Sequence, residues 1–190
     1  INDGSSGPPG PGGALPPISD SFDAVSFQNN PGFHALQQTI VIPDSILSAS
    51  LTWNDRILNH AGVFSDPNQE WRVVILDTSG AILHEAFSTS PGDTLLQAGP
   101  NSRSVNLTSV FQSFAGQTVV VSFEEQDNRR YFNATLDDVA LLVTVPPVIE
   151  NECNSGGWST YVNVNTGLKI FKNKGECVNF VATNGKDLPP

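Results

Sequence analysis

The side chains of this chain that could do chemistry fall into a few small groups. Cys153 and Cys177 stand 24 positions apart in the last fifth of the sequence. Two thiols at that spacing can be a disulfide, two free buried thiols or half of a metal site. Zinc needs about four ligands, and residues 151–190 contain no His. A bridge would close a loop of about 25 residues and contribute roughly 3 kcal/mol. A segment of about 40 residues needs such a staple, because it cannot bury enough apolar surface to fold alone. A structural disulfide is the favoured reading, and it implies an oxidising, extracytoplasmic setting.

The carboxylates come next. Asp137 and Asp138 precede an apolar run, and Asp23 lies on the first predicted strand. If those strands are neighbours, the three could hold Ca²⁺, which takes six to eight oxygens. The plainer reading is a β-bulge whose Asp side chains bind the backbone. Glu124-Glu125-Gln126-Asp127-Asn128 is the densest acidic run. A glycosidase needs two carboxylates facing each other across a cleft. Adjacent strand residues point to opposite faces, so Glu124 and Glu125 do not form that pair, and the run reads as a solvated strand end. His34, His60 and His84 show no metal-binding spacing, and no nucleophile elbow or phosphate loop is present. No catalytic residue is assigned, and the chain is expected not to be an enzyme.

Aromatic rings on a surface can stack on sugars. Trp53 and Trp71 lie on strands with apolar alternation and are expected in the core. Tyr131 and Phe132 stand near a loop and are the candidate ligand-binding pair. Asn106-Leu107-Thr108 and Asn133-Ala134-Thr135 match the N-glycosylation pattern, which matters only in a secreted host context.

Short strands separated by turns must position these groups. Runs at 22–27, 36–42, 50–54, 70–77, 82–87, 119–123 and 140–145 read as strands, with Thr78-Ser79-Gly80 turning a hairpin. Strands so spaced indicate a sandwich and not βαβ units. A short helix is expected after Thr108 or Ser109 as cap, ending at Gly116. Asn173 is expected to cap a second helix that places Cys177, Phe180 and Val181 on one face. Residues 1–19 are Gly/Pro/Ser-rich, with Gly4, Gly7, Gly10 and Gly13 at a period of three. That is either a flexible linker or the end of a collagen-like stalk.

Charge divides the chain near residue 150. Residues 1–150 hold 16 acids against five Arg and no Lys, whereas residues 151–190 hold four Lys against three acids. The organisation read from this is a leader (1–19), a β-sandwich (20–147) and a small disulfide-stapled C-terminal unit with a short helix (148–190). A net charge of −10 disfavours nucleic acid, since phosphate neutralisation needs a Lys/Arg surplus, and it disfavours anionic membranes. No apolar run approaches a membrane span.

Several segments carry a resemblance. "ASLTWNDRI", "QEWRVVILDTSGAIL", "AGQTVVVSFEEQDN" and "NATLDDVALLV" resemble the strands of galactose-binding-like jelly-roll domains of secreted bacterial proteins. Many of those are non-catalytic carbohydrate-binding modules. The resemblance implies an all-β antiparallel jelly-roll sandwich over about 20–145. It also implies a structural Ca²⁺ held by Asp137 and, less directly, Asp23. The segment "CNSGGWSTYV...FKNKGECVNFVATNGK" is similar to a C-terminal segment of many secreted bacterial proteins, of the form Cys-x-x-Gly-Gly-Trp then Phe-Lys-Asn-x-Gly-(Asp/Glu)-Cys-Val. This supports secretion and the bridge.

Two functions follow as expectations. The first is an extracellular structural or adhesive protein, a self-associating subunit of a bacterial surface filament, in which a neighbour receives the leader along a sheet edge. Lys169, Lys172 and Lys174 would then meet a neighbour's acidic face. The alternative is a secreted carbohydrate-binding module, with polysaccharide as partner. The leader packed on its own domain would tell against the first.

Overall fold

Eight strands are wound so that first pairs with last in the computed structural model. Residues 1–5, 13–28 and 31–186 are described, apart from the side chains of Phe27 and Gln28. The strands are β1 (Ala24–Gln28), β2 (Gly32–Val41), β3 (Ser48–Asn59), β4 (Gln69–Leu76), β5 (Ile82–Ser88), β6 (Leu96–Asn106), β7 (Thr118–Asp127) and β8 (Phe132–Thr144). One sheet has the order β1-β8-β3-β6 and the other β2-β7-β4-β5. Strand 1 therefore lies beside 8, 2 beside 7, 3 beside 6 and 4 beside 5. That nesting is the double Greek key of a jelly roll, and the strand order alone establishes the all-β fold class.

Period-two alternation explains the sandwich. On β7, Val119, Val121 and Phe123 face inward with Trp71, Val73 and Ile75 of β4, and all are buried. Trp53 of β3 meets Phe87 and Phe123 edge-on, with centroids 5.9 and 5.7 Å apart. Trp53 and Trp71 are core residues, as their alternation predicts.

The chain forms two packing units. The first comprises residues 1–41, 52–105 and 118–140, and the second residues 42–51, 106–117 and 141–190. In the second, the Cys153–Cys177 disulfide sits in an apolar cluster with Phe171 and Phe180. Phe171 meets Tyr161 and Phe180 edge-on at 5.6 and 5.5 Å. Helix α2 (Lys174–Ala182) starts where the Asn173 side chain accepts the Glu176 N–H, and it buries Cys177 and Phe180. Gly157 is fixed by space: a Cβ there would lie 2.0 Å from the Glu152 carbonyl oxygen. Helix α1 (Thr108–Ser113) belongs to this unit too, but it has no side-chain N-cap. Thr108 Oγ1 instead accepts the Ala49 N–H at 3.0 Å, so the expected cap is spent on tying down β3.

The described leader residues pack on their own chain in the first unit. Asn2 and Asp23 exchange backbone hydrogen bonds at 2.9 and 3.1 Å. Asn2 Nδ2 donates to the Leu15 carbonyl, and Arg56 Nη1 donates to that of Pro16. Gly4 and Gly13 take φ of 78° and 69°, far from the roughly −75° of a collagen strand. Gly7 and Gly10 lie outside the described residues.

Candidate functional site

Asp55 organises a polar cavity of the first unit. It stands two residues after Trp53 on β3, so strand alternation turns it toward the same buried face, where it is fully enclosed. A carboxylate there needs donors, and it has three. Trp53 Nε1 reaches Oδ2 at 2.9 Å. Asn101 Nδ2 reaches Oδ1 at 3.0 Å. Arg103 binds through Nε and Nη2 at 3.1–3.3 Å. The bidentate geometry holds the guanidinium plane in place, with its carbon 4.6 Å from the centroid of the Phe87 ring. Arg103 Nη2 also donates to Gln97 Oε1 at 2.7 Å.

β6 can lie this close because of Gly99. At φ 55°, a Cβ would come within 2.7 Å of the Asp55 carbonyl oxygen. The β5–β6 loop closes the rim, where Asp93 Oδ2 accepts the Ser90 N–H at 2.7 Å. Phe87, Asp93, Thr94, Gln97, Asn101 and Arg103 thus line a cavity of about 510 Å³. It presents donors, acceptors and one aromatic ring, pre-oriented by a buried carboxylate.

Sequence reading did not find these residues. One signal was available: Asp55 on the core face of a Trp-bearing strand demands a buried cation, and the first 150 residues offer five Arg. The Gly99-Pro100 break concealed β6 and with it Gln97, Asn101 and Arg103.

The residues singled out beforehand lie elsewhere. Phe132 is fully buried against Phe64, with centroids 6.0 Å apart. It does not reach a sugar, because it opens β8 on the inward face. Tyr131 is half-buried. Asp23 and Asp137 hold the leader: Asp23 Oδ2 accepts the Ile18 N–H, and Asp137 Oδ2 accepts both the N–H and the hydroxyl of Ser19. These bonds hold the Asp137 carboxyl below its ordinary value against a desolvation that opposes them. Asp138 accepts from Asn54 and Ser19. Among the described residues no three His, Cys, Asp or Glu side chains form a group that could hold a metal. Asp23 Oδ1 is buried without a donor, and it is the oxygen that a cation would serve. Lys169, Lys172 and Lys174 are exposed on the second unit. Lys169 Nζ lies 5.0 Å from the Trp158 ring centroid, and Lys172 pairs loosely with Glu176 at 4.0 Å.

Glu124 and Glu125 do diverge to opposite faces. Glu124 accepts Arg72 Nε and Nη2 at 2.8 Å and Ser122 Oγ at 2.8 Å on the outer face. Glu125 is buried on the inner face, where Ser26 donates to it. The run is a buried strand and not a solvated end, since its pairing with β2 and β4 covers both sides.

Solved structures with a similar fold include TmCBM61 in complex with β-1,4-galactotriose (10% identity over 66% of this chain and 72% of that one, TM-score 0.43). A CBM4 structure matches at 12% identity over 64% and 83%, TM-score 0.41. The EclA C-terminal domain, a sugar-binding protein, matches at 11% over 70% and 87%, TM-score 0.34. No protein-family model and no curated protein matches the chain.

Proposed function

We propose that the jelly roll is a non-catalytic carbohydrate-binding domain whose site is the cavity between β5 and β6. The observation that carries this is the Asp55-locked constellation of Arg103, Asn101 and Gln97 beside Phe87. Sugars need fixed donors and acceptors with an apolar ring face nearby, and a buried ion pair supplies the fixing. Affinity gel electrophoresis against soluble neutral polysaccharides (galactan, xylan, mixed-linkage glucan) tests it. At least one should retard the protein, and Gln97→Ala should weaken that retardation at least tenfold. Gln97 is the residue to change, because removing Arg103 would strand the Asp55 charge and cost about 3–5 kcal/mol of stability. No retardation by any of the polymers would end this reading.

No observation among the described residues favours a filament subunit. The described leader residues pack on their own chain, whereas the filament reading has a neighbouring subunit receive them. The Cys153–Cys177 bridge supports an extracytoplasmic location. No described helix is long and apolar enough to cross a membrane. A structural Ca²⁺ at Asp23 and Asp137 accompanies the proposal, supported by the donorless Asp23 Oδ1. Thermal unfolding should then shift upward with millimolar Ca²⁺ over EDTA, and the shift should vanish in Asp23→Asn.

A further inference from the structure

On the opposite margin of the first unit, the inner faces of the sheets fail to fill the space between them. Ala24 and Ser26 on β1 and Ala134 on β8 are small, and they line the same space as Trp71 and Phe123. Close packing requires volume on both sides, and these residues leave a cavity of about 730 Å³. Its size and largely apolar lining are those of a small-molecule site; among the described residues no Lys or Arg side chain lines it, and Ile1 stands at its edge.

The polar groups around this wall are mostly acceptors, and the buried Trp71 Nε1–H is an idle donor among them. Glu125 on β7 is paired in register with His34 on β2 and with Trp71 on β4, both of which line the cavity. Ser26, also in the lining, donates to one of its oxygens. The other oxygen, Oε1, is buried without a donor, as is Oδ2 of Asp127 two residues further along the same face. Two buried carboxyls with idle acceptors, beside aromatic rings and with no Lys or Arg side chain among the described lining residues, favour positive charge. The Trp71 and Phe123 rings, with centroids 6.3 Å apart and tilted by 33°, supply the electron-rich faces that attract it.

We propose that this cavity binds a small hydrophobic ammonium compound, with an apolar body against Ala24, Leu36 and Leu136 and a fixed positive charge between Trp71 and Glu125. Above about pH 8, where Glu125 ionises, a carboxylate ligand would be repelled there. The cavity shares no residue with the β5–β6 site.

Glu125 gives the proposal a pH signature. Burial pushes its carboxyl up to about 8, Asp127 adds repulsion, and the Ser26 hydroxyl opposes the rise. The charged or titratable groups facing it are Asp127 on its own strand and His34 on β2, whereas Ser26 on β1 and Trp71 on β4 carry no charge. A cation favours the ionised carboxyl, so binding should strengthen as pH rises through about 8.

The experiment is titration of the full chain with benzyltrimethylammonium, whose charge does not vary with pH, followed by two-dimensional NMR and calorimetry. Benzyl alcohol and benzoate serve as controls. Shifts should centre on β1 and β2, and the ammonium should bind at least tenfold tighter than either control at pH 8.5. Glu125→Gln should lose that advantage and the pH dependence together. Ala24→Phe, which fills the cavity from its rim, should abolish binding while leaving Glu125 in place. Equal affinity for benzyl alcohol, unaltered binding by Glu125→Gln, or shifts away from β1 and β2 would each overturn the proposal. A cavity that holds only solvent gives no shifts, and that result overturns it too.

Discussion

Asp55 and Glu125 are both carboxyls fully buried on inward strand faces, yet their partners give them opposite characters. Asp55 faces a guanidinium, an indole N–H and an amide, so both its oxygens have donors. For Glu125 burial outweighs the Ser26 hydroxyl and the Ala134 backbone, and with Asp127 nearby its carboxyl rises from 4.5 to about 8. The sign for stability follows directly. A raised folded value means that the folded state holds the proton more tightly than the unfolded chain does. The stability gained from this is fully present below about pH 4.5 and is lost as pH rises toward 8. Asp127 and Glu70, both raised chiefly by burial, act in the same direction. Chemical denaturation from pH 5 to pH 8.5 should show the wild-type protein losing on the order of a few kcal/mol relative to Glu125→Gln. Parallel curves for the two proteins would mean that Glu125 is not held neutral.

At the scale of elements, strands that follow a clean alternation were readable: β3, β4, β5 and β7 are found where the pattern places them. α2 is likewise legible, because Asn173 offers both a cap and a register for Cys177. β6 was not. Gly99 and Pro100 interrupt it, and both are breakers in a central strand. β6 tolerates them because it is an edge strand whose free side makes no ladder. The first half of β8 was hidden for a different reason, since Asn133 and Thr135 are polar yet buried. The Gly-Gly-Trp motif acquires a physical meaning only in three dimensions. Gly157 leaves no room for a methyl group beside Glu152, so Gly157→Ala must move the loop that carries Cys153. We expect a loss of about 2–4 kcal/mol of stability, seen as earlier melting and faster reduction of the Cys153–Cys177 bridge. Melting within 1 °C of wild type would show that the loop yields freely.

For the whole molecule, the net charge of −10 constrains what the β5–β6 cavity can meet. Single-sign fields reject polymers of like charge at low ionic strength. In the same electrophoresis gels, polygalacturonate should not retard the protein at low salt even where galactan does. The spacing of strands and turns foretold the sandwich, because it is a pattern spread over many residues. The site was not foretold, because it depends on contacts such as Asp55 with Arg103, 48 positions apart, which no local pattern encodes.

The nesting of strands also sets a timetable. β1 has one sheet neighbour, β8, with Ala24 opposite Leu136, so about 110 residues must be made before it can be covered. At ribosomal speeds of about 5–20 residues per second, the first strand waits roughly 5–20 s. Over that interval its edge is open to any other nascent chain, and only the last strand to be synthesised closes the fold. Folding yield, and not only final stability, should therefore depend on how quickly β8 arrives.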